Sequence, residues 1–201
     1  MKLYFSPGAC SLAPRIALIV AGLPFESEHV SLRTKLTAGG DDFRTINPKG
    51  YVPALALDDG RVLTESQVIL QYVADQTPDS ALAPANGTVE RYALMEWLAW
   101  TSTELHKRFS PIFAPGASKE AKDTAWAGLA APLTYVAGQI GDDGYLTGER
   151  FTVADAYLFT VLNWVGFTSF SLDSWPALQA YQARIRALPA VQEALRQEGL
   201  Q

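Results

Sequence analysis

Lys2-Leu-Tyr-Phe-Ser-Pro-Gly-Ala-Cys-Ser-Leu12 decides the fold. Lys2 to Ser6 is a short strand pattern, and the breaker pair Pro7-Gly8 closes it. A helix follows from about Ser11 to Ala21, with Gly22 as its stop and Pro24 just beyond. Phe25 to Val30 alternates apolar and polar residues, as a half-buried second strand does. Leu36 to Thr45 reads as loop with a little helix. The turn Asn47-Pro-Lys-Gly50 leads into a third strand, Val52 to Leu57. Asp58-Asp-Gly60 reverses the chain into Arg61-Val-Leu63, and a helix covers Glu65 to about Gln76. The order β-α-β-β-β-α, with a hairpin in its second half, implies a mixed sheet.

Thr77 to Gly87 is rich in Pro, Gly and Asn and reads as a connection. The predicted division is residues 1–80, a linker at 81–86, and residues 87–201, which carry helical patterns alone. Leu94, Trp97, Leu98, Thr101, Leu105 and Phe109 fall on one helix face. Pro111 and Pro115-Gly116 end that helix. Another spans about Lys119 to Ile140, with Pro132 kinking or splitting it. Thr152-Val-Ala-Asp155 fits a capping box, and its helix, through about Val165, is apolar nearly all round. Pro176 suits the first position of a helix reaching Leu188, and Pro189 opens a short last one. The second part is therefore expected to be an all-α bundle.

The 201 residues leave room for one large domain or two small ones. A net charge of −5, two His and no basic run exclude nucleic acid as a natural partner. A hydrophobic share of 48% excludes wholesale disorder. The longest apolar run, Ile16 to Leu23, falls far short of the roughly 18–20 residues that span a bilayer. Pro7, Gly8 and Pro14 interrupt what precedes it, so it reads as a buried helix, with no signal peptide and no membrane partner. Cys10 is the one cysteine. Neither an internal disulfide nor a Cys-rich metal cage is then open to the chain, no metal or resident cofactor is expected, and a reducing, cytoplasmic setting is favoured.

Cys10 stands at or just before a helix N-terminus, where unpaired N–H groups and the helix dipole lower a thiol pKa. A free cysteine there is either a tuned thiol or a small buried hydrophobe. Ala13 occupies the place of a second cysteine, so disulfide chemistry needs an external thiol. Val52-Pro53 follows a turn and opens a strand, which suits a cis bond beside a peptide-binding edge, or else an ordinary edge-strand proline. Thr64-Glu-Ser-Gln67 matches a capping box of the Thr-x-x-Gln type. A helix start at Ser66 suits a carboxylate, and Glu65 suits an ammonium. These features together describe a site for a short zwitterionic peptide carrying a thiol.

The same stretches resemble the glutathione transferases, in particular the bacterial beta class. The similarity lies in Lys2 to Leu12, Asn47 to Leu55, Leu63-Thr-Glu-Ser66, Glu104-Leu-His-Lys107 and Phe151 to Thr160, in that order along nearly the whole chain. It implies a thioredoxin-like first domain, a helical second domain, a homodimer, glutathione as cosubstrate and a detoxifying role. By matching position it implies that Cys10 lies beside the glutathione sulfur and that Val52 pairs with the cysteinyl unit before a cis Pro53. Glu65 and Ser66 would hold the γ-glutamyl end, and Ser11 would help shield the thiolate. Lys35 would be a further contact, and His106 would approach the sulfur from the second domain, with Thr103 and Glu104 nearby. The chain departs from the class at Ala99, where Asn is common, at Phe5, where Tyr is common, and at Arg15, where His is more usual.

The reaction that the resemblance implies is conjugation of the glutathione thiolate to a small hydrophobic electrophile held in an apolar cleft. Phe109, Phe113 and Trp164 are the candidate lining residues, though such aromatics are core more often than pocket. A sibling reaction is glutathione-dependent thiol-disulfide exchange through Cys10. The alternative is a non-catalytic ligand-binding or regulatory protein on the same fold. Such relatives typically lose the glutathione-binding residues, whereas Cys10, Val52-Pro53, Glu65-Ser66 and His106 are all present.

Overall fold

The computed structural model describes residues 1–77, 81–140 and 144–200. The predicted connection is described apart from residues 78–80, which lie outside the described residues. The chain forms two compact units, Met1–Ala83 with Ala187–Gln201, and Pro84–Arg186.

The first unit holds four strands, β1 (Lys2–Phe5), β2 (Glu26–His29), β3 (Ala54–Ala56) and β4 (Val62–Thr64). They lie in the order β2-β1-β3-β4. β1 runs parallel to β2 and antiparallel to β3, and β3 is antiparallel to β4, so the sheet is mixed as the hairpin implied. Leu3 pairs with Leu55, and Tyr4 with Ala54. Because successive side chains alternate faces, this register sends the two pairs to opposite sides. On the Tyr4 side a cluster forms with Val30, Phe43, Val52 and Ala54. Phe43 is supplied by a 3₁₀ turn, Phe43–Thr45, which Asp42 caps by accepting the Arg44 N–H. On the other side the buried residues come from α1 (Leu12–Val20) and α2 (Ser66–Gln76), chiefly Leu12, Ile16, Ile69, Leu70 and Val73.

β2 is extended where the alternation placed a strand, yet it is not half-buried. Glu26, Ser27 and His29 sit at the sheet edge with little cover or only partial cover, and Lys2 reaches Glu28 at 3.2 Å across the ladder. An edge strand decorated with charge resists pairing with a foreign strand.

The second unit contains α3 (Val89–Trp100), α4 (Lys107–Phe109), α5 (Lys119–Ala127), α6 (Ala130–Gln139), α7 (Val153–Asn163) and α8 (Pro176–Arg186). α9 (Pro189–Gln197) belongs with the first unit. Between α3 and α4 the backbone widens into a π turn, Thr101–His106, which no periodicity argument anticipated. Of the predicted face, Leu94, Leu98, Thr101, Leu105 and Phe109 are buried, whereas Trp97 is only half-buried and packs against Trp100 and Tyr135. Pro132 does split the long helix, but upstream of itself. α5 stops at Ala127, and Pro132 then stands in the first turn of α6, where its missing N–H costs nothing and its ring meets no carbonyl of a preceding turn.

Every residue of α7 is buried, and its start is fixed by Asp155. One carboxylate oxygen accepts the Thr152 N–H at 2.9 Å and the Thr152 hydroxyl at 3.0 Å. The other accepts the Leu146 N–H and the Tyr181 hydroxyl, both at 2.9 Å. The capping box read from the sequence is thus the centre of a wider network joining α7, α8 and the loop before them. Among the described residues no helix is long and apolar enough to cross a membrane.

Asp155→Ala would strand two buried backbone donors and a buried hydroxyl. Each orphaned group costs about 1–3 kcal/mol, so the second unit should lose roughly 3–5 kcal/mol. The thermal midpoint followed by circular dichroism should fall by about 6–20 °C. A midpoint within a degree or two of the parent would refute this account of α7.

Candidate functional site around Cys10

β1 ends in a turn that carries the thiol. The Ala9 N–H donates to the Ser6 carbonyl at 3.0 Å, and Gly8 takes φ +72°, a left-handed conformation that costs glycine little. Ser11 is fully buried and ties the turn shut from inside, because its hydroxyl accepts the Ser6 N–H at 3.2 Å and donates to the Ser6 carbonyl at 3.3 Å. Ser11 is also the N-cap of α1, but its side chain caps nothing there. Cys10 therefore sits one residue before the cap, as the sequence placed it.

The turn is held from outside by the end of the chain. The Gly8 N–H donates to Glu198 Oε2 at 2.9 Å, and Glu198 Oε1 accepts Arg15 Nε at 2.9 Å. The side chains of Arg15 and Glu198 are 2% and 0% exposed. Arg15 also donates to the Gln197 side chain at 2.9 Å, and its guanidinium lies 4.1 Å from the centre of the Phe5 ring. Two departures from the class, Phe5 and Arg15, are therefore in contact as a cation–π pair. Sequence reasoning singled out Arg15 as an oddity and missed Glu198, whose partner lies 183 residues away with no local signal to mark it.

Opposite the thiol stands the turn Asn47 to Gly50. Asn47 is buried, its amide donates to the Tyr51 carbonyl at 2.7 Å, and its side-chain oxygen accepts the Lys49 N–H at 3.2 Å. This turn presents Val52, and the Val52–Pro53 bond is cis. The Cys10 thiol donates to the Val52 carbonyl at 3.3 Å. The Ser66 hydroxyl also bonds to the thiol. Three of the predicted residues, Cys10, Val52 and Ser66, are thus brought together.

The thiol is not the low-pKa group that a helix start suggests. Burial pushes its pKa up to about 11, against the opposing pull of the Ser66 hydroxyl and the backbone N–H groups of Cys10 and Ser11. Nearby Glu65 adds a small push in the same direction. At neutral pH Cys10 is a protonated donor.

The Thr64–Gln67 capping box does not form. Thr64 is still in β4, and the N-cap of α2 is Glu65, with φ +69° and no side-chain cap bond. The strand runs one residue further than the box allows, and the left-handed backbone at Glu65 then makes the corner into the helix. Such a conformation in a non-glycine residue costs on the order of 1–3 kcal/mol. It leaves the Glu65 carboxylate outward, where it accepts Lys49 Nζ at 2.7 Å, and Lys49 also reaches the Thr64 hydroxyl at 3.0 Å. The ammonium paired with Glu65 in the structure is that of Lys49. Lys35, at φ +61°, holds its Nζ 5.1 Å from the centre of the exposed Tyr51 ring. Lys49 and Tyr51 lay inside a quoted motif without being singled out, and the turn geometry of Asn47 is what exposes them.

In the second unit the π turn carries Thr103, Glu104 and His106. A π turn in a helix often marks a functional site. The Thr103 hydroxyl donates to the Ala99 carbonyl at 3.2 Å, and Glu104 pairs with Arg108. His106 Nδ1 lies 2.7 Å from the Tyr157 hydroxyl, and its ring meets Trp164 edge-on at 4.7 Å. Phe109 and Phe113 both pack edge-on against Trp164, at 5.5 and 5.9 Å. Phe109 and Trp164 are buried, and these two are core residues. Phe113 is 45% exposed and lines a cavity of about 190 Å³ with Ile112, Lys122, Phe167 and Phe170. Among the described residues no three His, Cys, Asp or Glu side chains gather to hold a metal ion.

Comparison with known proteins bears on this arrangement at every level. Residues 8–76 match the glutathione S-transferase N-terminal domain, and residues 100–189 the glutathione S-transferase C-terminal domain. The chain is 47% identical over 201 residues to glutathione S-transferase GstA of Escherichia coli O157:H7, covering all of both chains. It superposes over its whole length on BphK, a bacterial glutathione transferase solved as a ternary complex, with a TM-score of 0.96 and 55% identity, covering all of both chains. It does so equally on the beta-class glutathione S-transferase of Sphingomonas chungbukensis, with a TM-score of 0.96, 47% identity and full coverage of both. With a thioredoxin-like unit, a helical unit and full-length likeness to such enzymes, the chain belongs to the glutathione S-transferase family, in its bacterial beta class.

Proposed function

We propose that this enzyme binds glutathione along the Cys10, Val52-cis-Pro53 and Glu65-Ser66 edge and transfers its thiolate to small hydrophobic electrophiles. The observation that carries the reading is the convergence of the Cys10 thiol, the Val52 carbonyl and the Ser66 hydroxyl at one point. The backbone of Val52, beside the cis bond, suits the cysteinyl unit of an extended peptide. The Ser66 N–H at the start of α2 suits the γ-glutamyl carboxylate, and Glu65 suits its ammonium. Lys35 supplies a cation for the glycyl carboxylate. From the helical unit we assign His106, Thr103 and Glu104 to the same tripeptide and Phe113 to the electrophile. Phe109 and Trp164 support that wall from behind. The working form is taken to be a cytoplasmic homodimer with a role in detoxification.

In conjugation the glutathione sulfur attacks the electrophilic carbon. A C–S bond forms, the bond to the leaving group breaks with its electron pair, and the thiol proton goes to solvent. The protein's task is to hold a thiolate, which hydrogen-bond donors do. A Cys10 thiol with a pKa of about 11 is such a donor at neutral pH. As a nucleophile it is weak there, since only about one molecule in ten thousand carries the thiolate at pH 7. That disparity favours conjugation as the main reaction and makes exchange through Cys10 the lesser one.

Purified protein should turn over glutathione with a dinitro-activated chloroarene and be retained on glutathione resin. A folded protein that does neither would restore the non-catalytic alternative. Cys10→Ala should abolish reduction of a glutathione mixed disulfide while keeping conjugation within about tenfold of the parent. Equal loss of both would collapse the distinction between the two reactions. In the parent, the ultraviolet absorbance of the thiolate should rise with a midpoint near pH 11. A midpoint below pH 9 would mean that the helix start outweighs burial.

A further inference from the structure

The cavity beside Phe113 carries a charge that the apolar reading of the electrophile site leaves unused. It lies wholly within the helical unit and is built by three segments. Ile112 and Phe113 follow α4, where both N–H groups fold back onto the Phe109 carbonyl, at 2.9 and 3.3 Å. Phe167 closes the 3₁₀ turn Trp164–Phe167, and Phe170 follows with its ring stacked on Trp126 of α5 at 4.6 Å. Lys122 comes from α5 itself, one helical turn before Trp126 and on the same side. Phe113 and Phe167 are 45% and 51% exposed, so two phenyl rings stand open to whatever enters.

Volume sets the size of the guest. At about 190 Å³ the cavity is smaller than the about 300–1,000 Å³ of sites for drug-sized molecules, yet larger than the about 150 Å³ that holds a benzene. One substituted aromatic ring fits. Charge sets its character. Lys122 is half-buried and is the one charged residue among those lining the cavity. Among the described residues Lys119, on the same helix, pairs with Asp123 at 2.5 Å, whereas Lys122 meets no carboxylate. As the fourth residue of α5 it also stands near the positive end of the helix dipole, so helix stability does not account for a cation there. The Thr168 hydroxyl, also in the lining, is already committed. It donates to the Val165 carbonyl at 2.8 Å and accepts the Phe170 N–H at 3.1 Å. Lys122 is the cation left for a guest.

We propose that Lys122 selects the electrophile, and that the substrates this cavity favours are single-ring aryl electrophiles carrying a carboxylate. The ring packs against Phe113, Phe167 and Phe170 in edge-on or offset contacts. The carboxylate meets the Lys122 ammonium beside apolar walls, where salt screens the pair less than in open solvent. Trp164 joins the cavity to the rest of the proposed site, since it meets Phe113 edge-on at 5.9 Å and the His106 ring at 4.7 Å. The chemistry is the conjugation already described. The C–S bond forms at the ring carbon bearing a halide, the halide departs with its electron pair, the thiol proton goes to solvent, and the carboxylate is carried through unchanged. The inference deepens the proposed transferase reading, resting on it for catalysis and not for binding.

The test gives the parent, Lys122→Gln and Lys122→Glu glutathione with a chlorodinitrobenzoate or with the matching benzamide, which keeps the ring and the leaving group and loses the charge. Each kcat/KM is divided by the rate constant of the uncatalysed reaction, which removes the difference in ring activation. The parent should favour the benzoate about fivefold, through the KM for the electrophile. That preference should vanish in Lys122→Gln and reverse in Lys122→Glu. Lys119→Gln, which removes a charge from the same helix, should keep the parent's ratio. A parent indifferent to the carboxylate, or a ratio that Lys122→Gln leaves untouched, would overturn the proposal. Binding is measured separately and without glutathione, using dinitrobenzoate and dinitrobenzamide, which carry no leaving group. Quenching of tryptophan fluorescence reports it, since Trp126 and Trp164 pack against Phe170 and Phe113. The benzoate should bind the parent about fivefold more tightly than the amide, and Lys122→Gln should bind the two alike. Equal affinities in the parent would overturn the proposal. A parent that binds the benzoate selectively and has no transferase activity would defeat the proposed function and leave the Lys122 subsite standing.

Discussion

The ion pair between Arg15 and Glu198 is the constraint on which the first unit depends. An arginine that is 2% exposed must find a counter-charge or forfeit several kcal/mol, and the acid that meets it, Glu198, comes from just after α9. Folding of the thioredoxin-like unit is therefore not finished by its own contiguous eighty residues. It needs α9 laid against α1 and Glu198 delivered to the start of the turn. Burial raises the Glu198 pKa, and the Gly8 amide and the Arg15 guanidinium draw it back, so the carboxylate stays in play only while both partners are in place. The Phe5 ring beneath Arg15 belongs to the same arrangement. A tyrosine hydroxyl at position 5 would bring a further polar group to a neighbourhood already crowded with a buried charge.

The second unit solves the same problem without a cation. Asp155 is buried as deeply, and its charge is met by two backbone N–H groups and two hydroxyls. Burial still prevails and holds its pKa up. The two acids differ in what they organise. Asp155 sits where the chain is locally helical and fixes the start of the central helix, so its network is short-range apart from Tyr181. Glu198 joins residues that have no sequence relation at all. That difference explains why one was readable and the other was not.

Where local chemistry decides, the sequence reading holds. Pro7-Gly8 ends β1, the helix carrying Pro132 is split in two, the Thr152 box caps α7, and the hairpin about Asp58-Asp-Gly60 makes the sheet mixed. Failures occur where tertiary context outweighs a local signal. The Thr64 box lost to one further residue of strand pairing, Ala54 with Thr64, which pulled the cap position onto a left-handed Glu65. The edge strand β2 kept its extended form but not its burial, because alternation speaks of faces and says nothing of whether anything covers them. The π turn at Thr101–His106 left no trace in a pattern that already fitted an ordinary helix. Lys49 and Tyr157 were both inside recognised motifs, and only geometry shows that one meets Glu65 and the other meets His106.

Cys10 is the instructive case, because its place before a helix start left a tuned thiol and a desolvated one both open, and its raised pKa falls on the second side. A helix start offers a thiolate roughly 0.3–1 kcal/mol of dipole stabilisation. The rise from 9.0 to about 11 corresponds to roughly 3 kcal/mol in the opposite sense. Desolvation wins by that margin because the turn is pulled shut from both sides, by Ser11 within and by Glu198 without. A looser turn would expose the sulfur and let the helix start express itself, giving a reactive thiol suited to exchange. The closed turn gives a neutral S–H that donates, suited to supporting the thiolate of another molecule. How firmly Gly8 is held therefore bears on how far the thiol is desolvated, which the presence of a cysteine alone does not decide.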